Sequence, residues 1–299
     1  MTSPLHFEQV NLDTSFGALL IGGLISTALW GVTCIQTYTY FTRKSQDGPV
    51  YKAIIVLLFA LDTLDSVLLS HFMYYYMVIH SADPVVSLVP NWSSMARSVV
   101  SFLSDFIVRT MFAIRVYKFS KNNLILIAWI TIFSILAFVS GLFSLIKILQ
   151  NHSVVHVHEL SDIVSFIFAA ATVADFSISI SLCYLLHKSR TGFRRTDSLI
   201  RVLMIYSVNS GAIVLLDAIP TLVTFITMPQ TLVYDITYLS SGKLYFNSYL
   251  ACLNAREAIR EEFLREDPVL VSQLEQGIAT QTEVPSAQSV SYMNALNPN

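Results

Sequence analysis

Charged residues are scarce in this sequence. Asp, Glu, Lys and Arg make up 13% of its 299 residues, whereas about a quarter of a soluble domain is charged. Hydrophobic residues make up 54%, and they run continuously instead of alternating with polar residues. A folded chain of this composition has too little polar surface to stay in water. The composition therefore predicts an integral membrane protein whose surrounding solvent is lipid.

Cysteine is scarce as well, and Cys34, Cys183 and Cys252 all lie in apolar segments. None falls in a connector predicted to face outward, so we expect no disulfide between outer loops. Nucleotide-binding glycine loops, nucleophile elbows and zinc-ligand spacings are also missing from the sequence. We therefore expect neither an enzyme nor a cofactor, and we expect the lipid bilayer rather than nucleic acid as the partner.

Seven apolar segments are long enough to cross a bilayer, which takes about 20 residues at ~1.5 Å each. They are residues 15–40, 52–79, 94–117, 124–147, 161–187, 199–226 and 231–253. The predicted fold class is all-α, an integral membrane bundle of seven transmembrane helices. In the first segment Ala18, Gly22 and Ser26 recur at every fourth residue, which allows a close approach by another helix of the bundle or of a second protomer.

The chain outside these segments divides into three parts. Residues 1–14 form a predicted extracellular tail without Lys or Arg. Residues 254–267 are charged, and we expect them either to lie along the inner membrane surface as an amphipathic segment or to fray from the last span. Residues 268–299 are rich in Ser, Thr, Gln and Ala, which predicts a disordered cytosolic tail.

The basic residues predict the orientation of the bundle. Lys and Arg concentrate in alternate connectors and in the C-terminal tail, while the opposite side has only Arg97 and Lys147. Cytosolic connectors carry this excess, so the N-terminus is predicted outside and the C-terminus in the cytosol. The glycosylation sequons at Asn91 and Asn151 fall in connectors assigned to the outside, in agreement with this orientation.

Two connectors carry candidate sites. The inner basic loop holds five cations that attract anionic inner-leaflet lipids or a cytosolic protein, or that only select the topology: Lys188, Arg190, Arg194, Arg195 and Arg201. The second outer loop holds His152, His156 and His158. These histidines suggest a metal or pH site, and the alternative is an exposed loop that tolerates histidine.

Ionisable residues inside a bilayer are expensive and are therefore candidates for function. The predicted intramembrane charged cluster consists of Asp62, Asp65, Asp105, Arg109, Asp175, Asp217 and Lys243. Asp105 and Arg109, four residues apart, share a helix face and are expected to pair. Lys243 is expected to be buried opposite Asp62, Asp65, Asp175 or Asp217, with Asn209 and Asn247 adding hydrogen bonds. Such a cluster either holds a proton or a cation, or forms a polar core that only fixes the helix register.

The C-terminal half carries motifs that resemble a known family. They include Arg190-Thr191-Gly192-Phe193, residues 243–248 and Asn254-Ala255-Arg256. Over residues 172–260 the chain is similar to a large basidiomycete fungal family of multi-spanning membrane proteins, whose C-terminal half is a domain of unknown function. The N-terminal half agrees in its number of spans and in Ile114-Arg115-Val116-Tyr117. The resemblance implies the seven-helix architecture and no established activity.

Two classes of function fit these observations. A receptor-like membrane sensor agrees with seven spans, an outer N-terminus and a basic third inner loop. The chain differs from rhodopsin-like receptors, because Ile114-Arg115-Val116-Tyr117 replaces an acidic-Arg-aromatic triplet at the end of the third span. The alternative is a small-solute, proton or ion transporter that uses the intramembrane charges, although no internal repeat is evident. We favour the sensor.

Overall fold

The computed structural model of the chain describes residues 12–43, 47–80, 91–119, 124–150, 157–188, 212–213, 216–227 and 233–266. Within these ranges the chain is helical apart from short turns and contains no strand. The predicted all-α class is thus confirmed for the described part of the chain. The chain divides into two compact units, Met1–Ala255 and Arg256–Asn299. The charged side chains described below belong to the first unit.

Seven long or medium helices follow one another in the described ranges. They are α1 (Leu12–Thr42), α2 (Pro49–Tyr74), α3 (Trp92–Phe119), α4 (Leu124–Gln150), α5 (Val157–Lys188), α6 (Leu216–Thr227) and α7 (Asp235–Glu266). A π-helical turn, Tyr75–Ile79, extends α2. Each helix overlaps one predicted segment. The charged segment up to Glu266 is helical, and the predicted cytosolic tail lies outside the described residues.

Local sequence signals explain where two of the helices begin. Pro49 stands in the first turn of α2, directly after Gly48, where its missing N–H is not needed. The Asn91 Oδ1 accepts hydrogen bonds from the backbone N–H groups of Ser93 and Ser94, at 2.7 and 3.0 Å. Asn91 therefore caps α3, because its side chain satisfies two donors that the first helical turn leaves free.

The distribution of side chains is inverted relative to a soluble protein. Large apolar side chains are exposed, such as Ile35 at 68% and Val67 at 61%, whereas Lys243 is 1% exposed. Three helices are long and apolar enough to cross a membrane: Phe16–Thr42, Pro49–Ile79 and Ile127–Gln150. The apolar stretches Ser165–Ser181 and Leu216–Thr227 are shorter. These features suggest a membrane protein with its charges turned inward.

Helix α7 lies at the centre of the apolar packing. Its Tyr245, Phe246, Tyr249 and Leu250 are all buried in one cluster with residues of α1 to α5. The same helix approaches α1 closely at Gly22, where an added Cβ would lie 2.7 Å from the Asp235 backbone oxygen. Further along, polar side chains of α7 reach the backbone of α1. The predicted small-residue stripe on α1 thus packs within the bundle.

Candidate functional site

One face of α3 carries a polar residue at every fourth position: Arg97, Ser101, Asp105 and Arg109. At 3.6 residues per turn, this spacing keeps the four side chains on one side of the helix. Arg97 and Arg109 are both buried. The face therefore points into the bundle, where charged side chains need partners.

The Lys243 cluster consists of Lys243 on α7, Asp62 and Asp65 on α2, and Arg97 on α3. The Lys243 Nζ lies 3.0 Å from Asp62 Oδ1 and 3.1 Å from Asp65 Oδ2. It also donates a hydrogen bond to the Ser66 hydroxyl at 2.8 Å. The structure thus places Lys243 opposite two of the four predicted aspartates, and helices α2 and α7 are joined by this contact.

Asp65 connects the Lys243 cluster to α3. Its Oδ1 accepts a hydrogen bond from the Ser101 hydroxyl at 3.0 Å. The Arg97 Nε lies 3.2 Å from the same oxygen, without an aligned hydrogen bond. The Arg97 guanidinium also lies 5.6 Å from the centroid of the Tyr238 ring, in a cation–π contact. With two carboxylates and two cations, the Lys243 cluster is formally neutral.

The Arg109 cluster consists of Arg109 on α3, Asp175 on α5 and Tyr245 on α7. Arg109 donates from Nε to Asp175 Oδ1 at 2.9 Å and from Nη2 to Oδ2 at 3.2 Å. The Tyr245 hydroxyl donates to Asp175 Oδ1 at 2.6 Å. A two-pronged contact between guanidinium and carboxylate is among the strongest charge-assisted arrangements. Arg109 and Asp175 therefore neutralise each other.

The prediction that Arg109 forms an ion pair with Asp105 is wrong. The two residues do share one face of α3, but Arg109 bonds to Asp175 across the bundle. Asp175 presents both carboxylate oxygens to the flat guanidinium, a geometry that suits its parallel N–H groups. Asp105 is left without an ion pair of its own among the described residues.

A cavity of about 70 Å³ lies among α3, α4, α5, α6 and α7. Its polar lining includes Asp105, Arg109, Asp175 and Asp217. Its aromatic lining consists of Phe102, Phe138, Phe168, Tyr238 and Tyr245. This combination, an apolar concave wall with a few converging polar groups, is typical of sites for small molecules.

Asp217 is the least compensated carboxylate at this cavity. It is 6% exposed, and its described hydrogen-bond donor is the Ser240 hydroxyl, 3.5 Å from Oδ1. That hydroxyl lies closer to the Thr237 backbone oxygen, at 2.9 Å. The charged groups that act on Asp217 are the carboxylates Asp105 and Asp175. Within the described residues, the Asp217 carboxylate therefore has no ion pair.

Three residues of the network were missed by the sequence analysis: Arg97, Asp235 and Tyr245. Arg97 was assigned to the outer side, whereas it is 6% exposed and contacts Asp65. Its four-residue spacing from Ser101 on α3 is the signal that places it on the inner face. Asp235, buried at the start of α7, has Arg97 as its charged neighbour. Nothing in the sequence pattern marks the tyrosine.

Two other predicted residues have structural contacts. The Asn247 Nδ2 donates to the Leu29 backbone oxygen on α1 at 3.0 Å, so Asn247 joins α7 to α1. The Asn91 amide nitrogen is buried in the folded chain, while its oxygen caps α3. Glycosylation of Asn91 is thus compatible with the sequence motif but would displace this cap.

Several predicted site residues lie outside the described residues. These are Asn151, His152, His156, Arg190, Arg194, Arg195, Arg201 and Asn209. For His158 and Lys188 the description covers their place in α5 but not their side chains. The outer histidine site, the second sequon and the inner basic loop therefore stay predictions.

The fold and the charged network define an all-helical protein with helices suited to a membrane and a polar cavity among them. Residues 171–258 match a family model described as "Family of unknown function (DUF6534)". The predicted domain of unknown function, over residues 172–260, is confirmed by this match. It covers most of α5, all of α6 and the part of α7 that holds Lys243. No curated protein and no solved structure matches the chain.

Proposed function

We propose that this chain is a seven-span membrane protein that acts as a receptor-like sensor for a small cation bound within its bundle. The observation that carries the proposal is the cavity with Asp105 and Asp217. Asp217 is almost fully buried and faces no described cation. A buried charge without a partner is strongly unfavourable, so a cation in the cavity would stabilise the folded protein.

The proposed topology places seven spans in the membrane, with the N-terminus outside and the C-terminus in the cytosol. Helices α3 and α7 have 28 and 32 residues, and a span needs about 20. Their charges reduce their apolar character, but the Lys243 and Arg109 clusters turn these charges away from lipid. The positive-inside bias of the connectors supports the orientation. The motifs shared with the fungal seven-helix family support the same architecture.

The inner basic loop is proposed as the output surface of the sensor. Its cations, Lys188 to Arg201, would bind anionic lipids of the inner leaflet or a cytosolic protein. No catalytic role is proposed for the chain, because its sequence has no nucleotide-binding glycine loop, nucleophile elbow or zinc-ligand spacing. The cavity is the part of the molecule where binding is proposed.

Transport of a proton, an ion or a small solute is the second candidate. Ionisable residues within membrane helices often mark ion pathways. The excess of carboxylate over cation at the cavity favours this alternative. A transporter would need the cavity to open alternately to the two sides of the membrane, and a sensor would only need the bound cation to change the bundle.

Thermal stability of the detergent-solubilised protein tests whether the cavity binds a cation. The midpoint is measured with NaCl, KCl or butylamine hydrochloride at constant ionic strength, against the bulky cation N-methyl-D-glucamine. At least one of these cations is expected to stabilise the wild type, because a ligand that binds the folded state raises its stability. Asp217→Asn should lose this effect. The control Asp62→Asn, which removes a buried carboxylate away from the cavity, should keep it.

The same variants separate the outcomes. If no cation changes the midpoint of the wild type, the cation-binding proposal is overturned. If the effect is lost equally in Asp62→Asn, the cation acts on the bundle as a whole and not at the cavity. Reconstitution in liposomes then distinguishes the two functions: uptake of the stabilising cation means transport, and binding without uptake means sensing.

A further inference from the structure

The charge balance around the cavity favours a bound cation. The Lys243 cluster is formally neutral, and Arg109 is neutralised by Asp175. Asp105 and Asp217 remain. Arg109 and Arg97 act on Asp105 at longer range, yet each is already paired with another carboxylate. Among the described residues, Asp217 has only carboxylates as charged neighbours, so it is the side chain that a bound cation would meet.

The walls of the cavity favour an organic cation over a bare metal ion. Hard metal cations prefer to be surrounded by oxygen ligands on most sides. Here four of the side chains facing the space are the rings of Phe102, Phe138, Phe168 and Tyr238. Aromatic faces attract ammonium groups and bury apolar substituents. The walls thus match a ligand that has a charged end and an apolar end.

The rings are held in place by contacts with one another. Phe168 makes an edge-to-face contact with Tyr238 at 5.5 Å and with Phe225 at 5.3 Å between centroids. The rings of Phe138 and Phe106 lie 5.1 Å apart between centroids and are tilted by 34° to each other. Small side chains face the space between the rings, namely Ala137, Ala171 and Ala218. Alanine at these positions leaves the room that an apolar group can fill.

We propose that the cavity binds a small protonated amine with an apolar substituent. Its ammonium group lies against the Asp217 carboxylate, with Asp105 as the second negative group. Its apolar part lies between the rings of Phe138, Phe168 and Tyr238. This inference rests on the proposed function, because it specifies the chemical class of the cation at the same cavity.

The test compares charged and neutral ligands of matched shape. Binding of butylamine and benzylamine is measured by isothermal titration calorimetry in detergent, beside butanol, benzyl alcohol and NaCl. The two amines are expected to bind and the two alcohols are not. Asp217→Asn should weaken amine binding by about 30-fold or more, as expected when one partner of a buried charge pair is removed. Asp62→Asn serves as the control and should bind as the wild type does.

A second variant covers the case in which Asp217→Asn does not fold. Ala171→Leu fills the cavity without changing any charge, and it should abolish binding of benzylamine. If the alcohols bind as well as the amines, or if Ala171→Leu binds benzylamine normally, the inference is overturned. If NaCl binds in an Asp217-dependent way and the amines do not, the inference fails while the proposed function stands. If none of the ligands binds, both fail.

Discussion

At the scale of residues, the bundle interior contains paired charges and, in Asp217, a carboxylate without an ion pair among the described residues. The Lys243 ammonium group contacts two carboxylates and one hydroxyl of α2 at once. Asp65 is in turn shared with α3 through Arg97. Such sharing makes the members of a cluster unequal, because removing Lys243 leaves Asp62 without a cation, whereas removing Asp62 leaves Lys243 and Arg97 in contact with Asp65.

Substitution of Lys243 is therefore expected to be more harmful than substitution of Asp62. Lys243→Met leaves Asp62 buried without a cation and Asp65 with Arg97 alone, and it should lower the free energy of unfolding by about 3–5 kcal/mol. Asp62→Asn leaves Lys243 with Asp65 and Ser66 and should lower it by about 1.5–3 kcal/mol. Unfolding by SDS titration from detergent micelles measures both values. The double variant should lose less than the sum of the two, and an Asp62→Asn effect as large as that of Lys243→Met contradicts the shared-cation interpretation.

At the scale of helices, the seam between α1 and α7 combines close packing with hydrogen bonds to the backbone. Gly22 faces the first turn of α7. Asn247 and Asn254 each donate to a backbone oxygen of α1, Leu29 O at 3.0 Å and Gln36 O at 2.9 Å. Small residues let two membrane helices approach, and amide side chains then bridge their backbones. This seam joins the first span to the helix that carries Lys243.

Two glycines on α1 provide a matched test of this seam. A Cβ at Gly22 would lie 2.7 Å from Asp235 O and 3.0 Å from Ile236 Cα. These are backbone atoms, which yield only if the helices separate. Gly22→Ala should therefore destabilise the protein by about 1–3 kcal/mol. A Cβ at Gly31 would meet nothing within 4 Å, so Gly31→Ala should be neutral or stabilising by up to about 1 kcal/mol. Equal effects in SDS unfolding would show that the seam tolerates separation.

At the scale of the whole molecule, many large apolar side chains of the described residues are exposed, whereas the charges of the Lys243 and Arg109 clusters are buried. Three helices meet the length and composition of a membrane span. Of the helices that carry the charged clusters, α2 is one of these three, whereas α3, α5 and α7 are not. A helix whose charges are paired within the bundle can still lie in lipid. The proposed number of seven spans follows from this argument and from the alternation of basic connectors.

The number of spans makes a prediction about the two ends of the chain. With seven spans, an epitope fused to the N-terminus should be accessible to antibody on intact cells. An epitope fused to the C-terminus should become accessible only after permeabilisation, because an odd number of crossings places the ends on opposite sides. Accessibility of both epitopes under the same condition would mean an even number of spans. A cytosolic protein with the same epitope controls for membrane integrity.

The positions of the helices were predictable from sequence, and the partners of their charges were only partly so. Continuous apolar runs mark helices, since a backbone in lipid must satisfy its own hydrogen bonds. Six of the predicted charges lie in that interior for the same reason, and Asp105 lies half-buried at the cavity. Helical spacing alone suggested that Arg109 pairs with Asp105, but its partner is Asp175, 66 residues further along the chain.

The sequence by itself thus determined an all-helical chain suited to a membrane and most of the charges that its interior must hold, because both follow from the local cost of polar groups in lipid. The tertiary structure alone decided which charges meet. That choice depends on how each helix is rotated against its neighbours, which local spacing does not specify. The tertiary structure placed Arg97 inside the bundle, beside Asp65 of the Lys243 cluster. It also committed Arg109 to Asp175, so that Asp217 faces the cavity without a described cation.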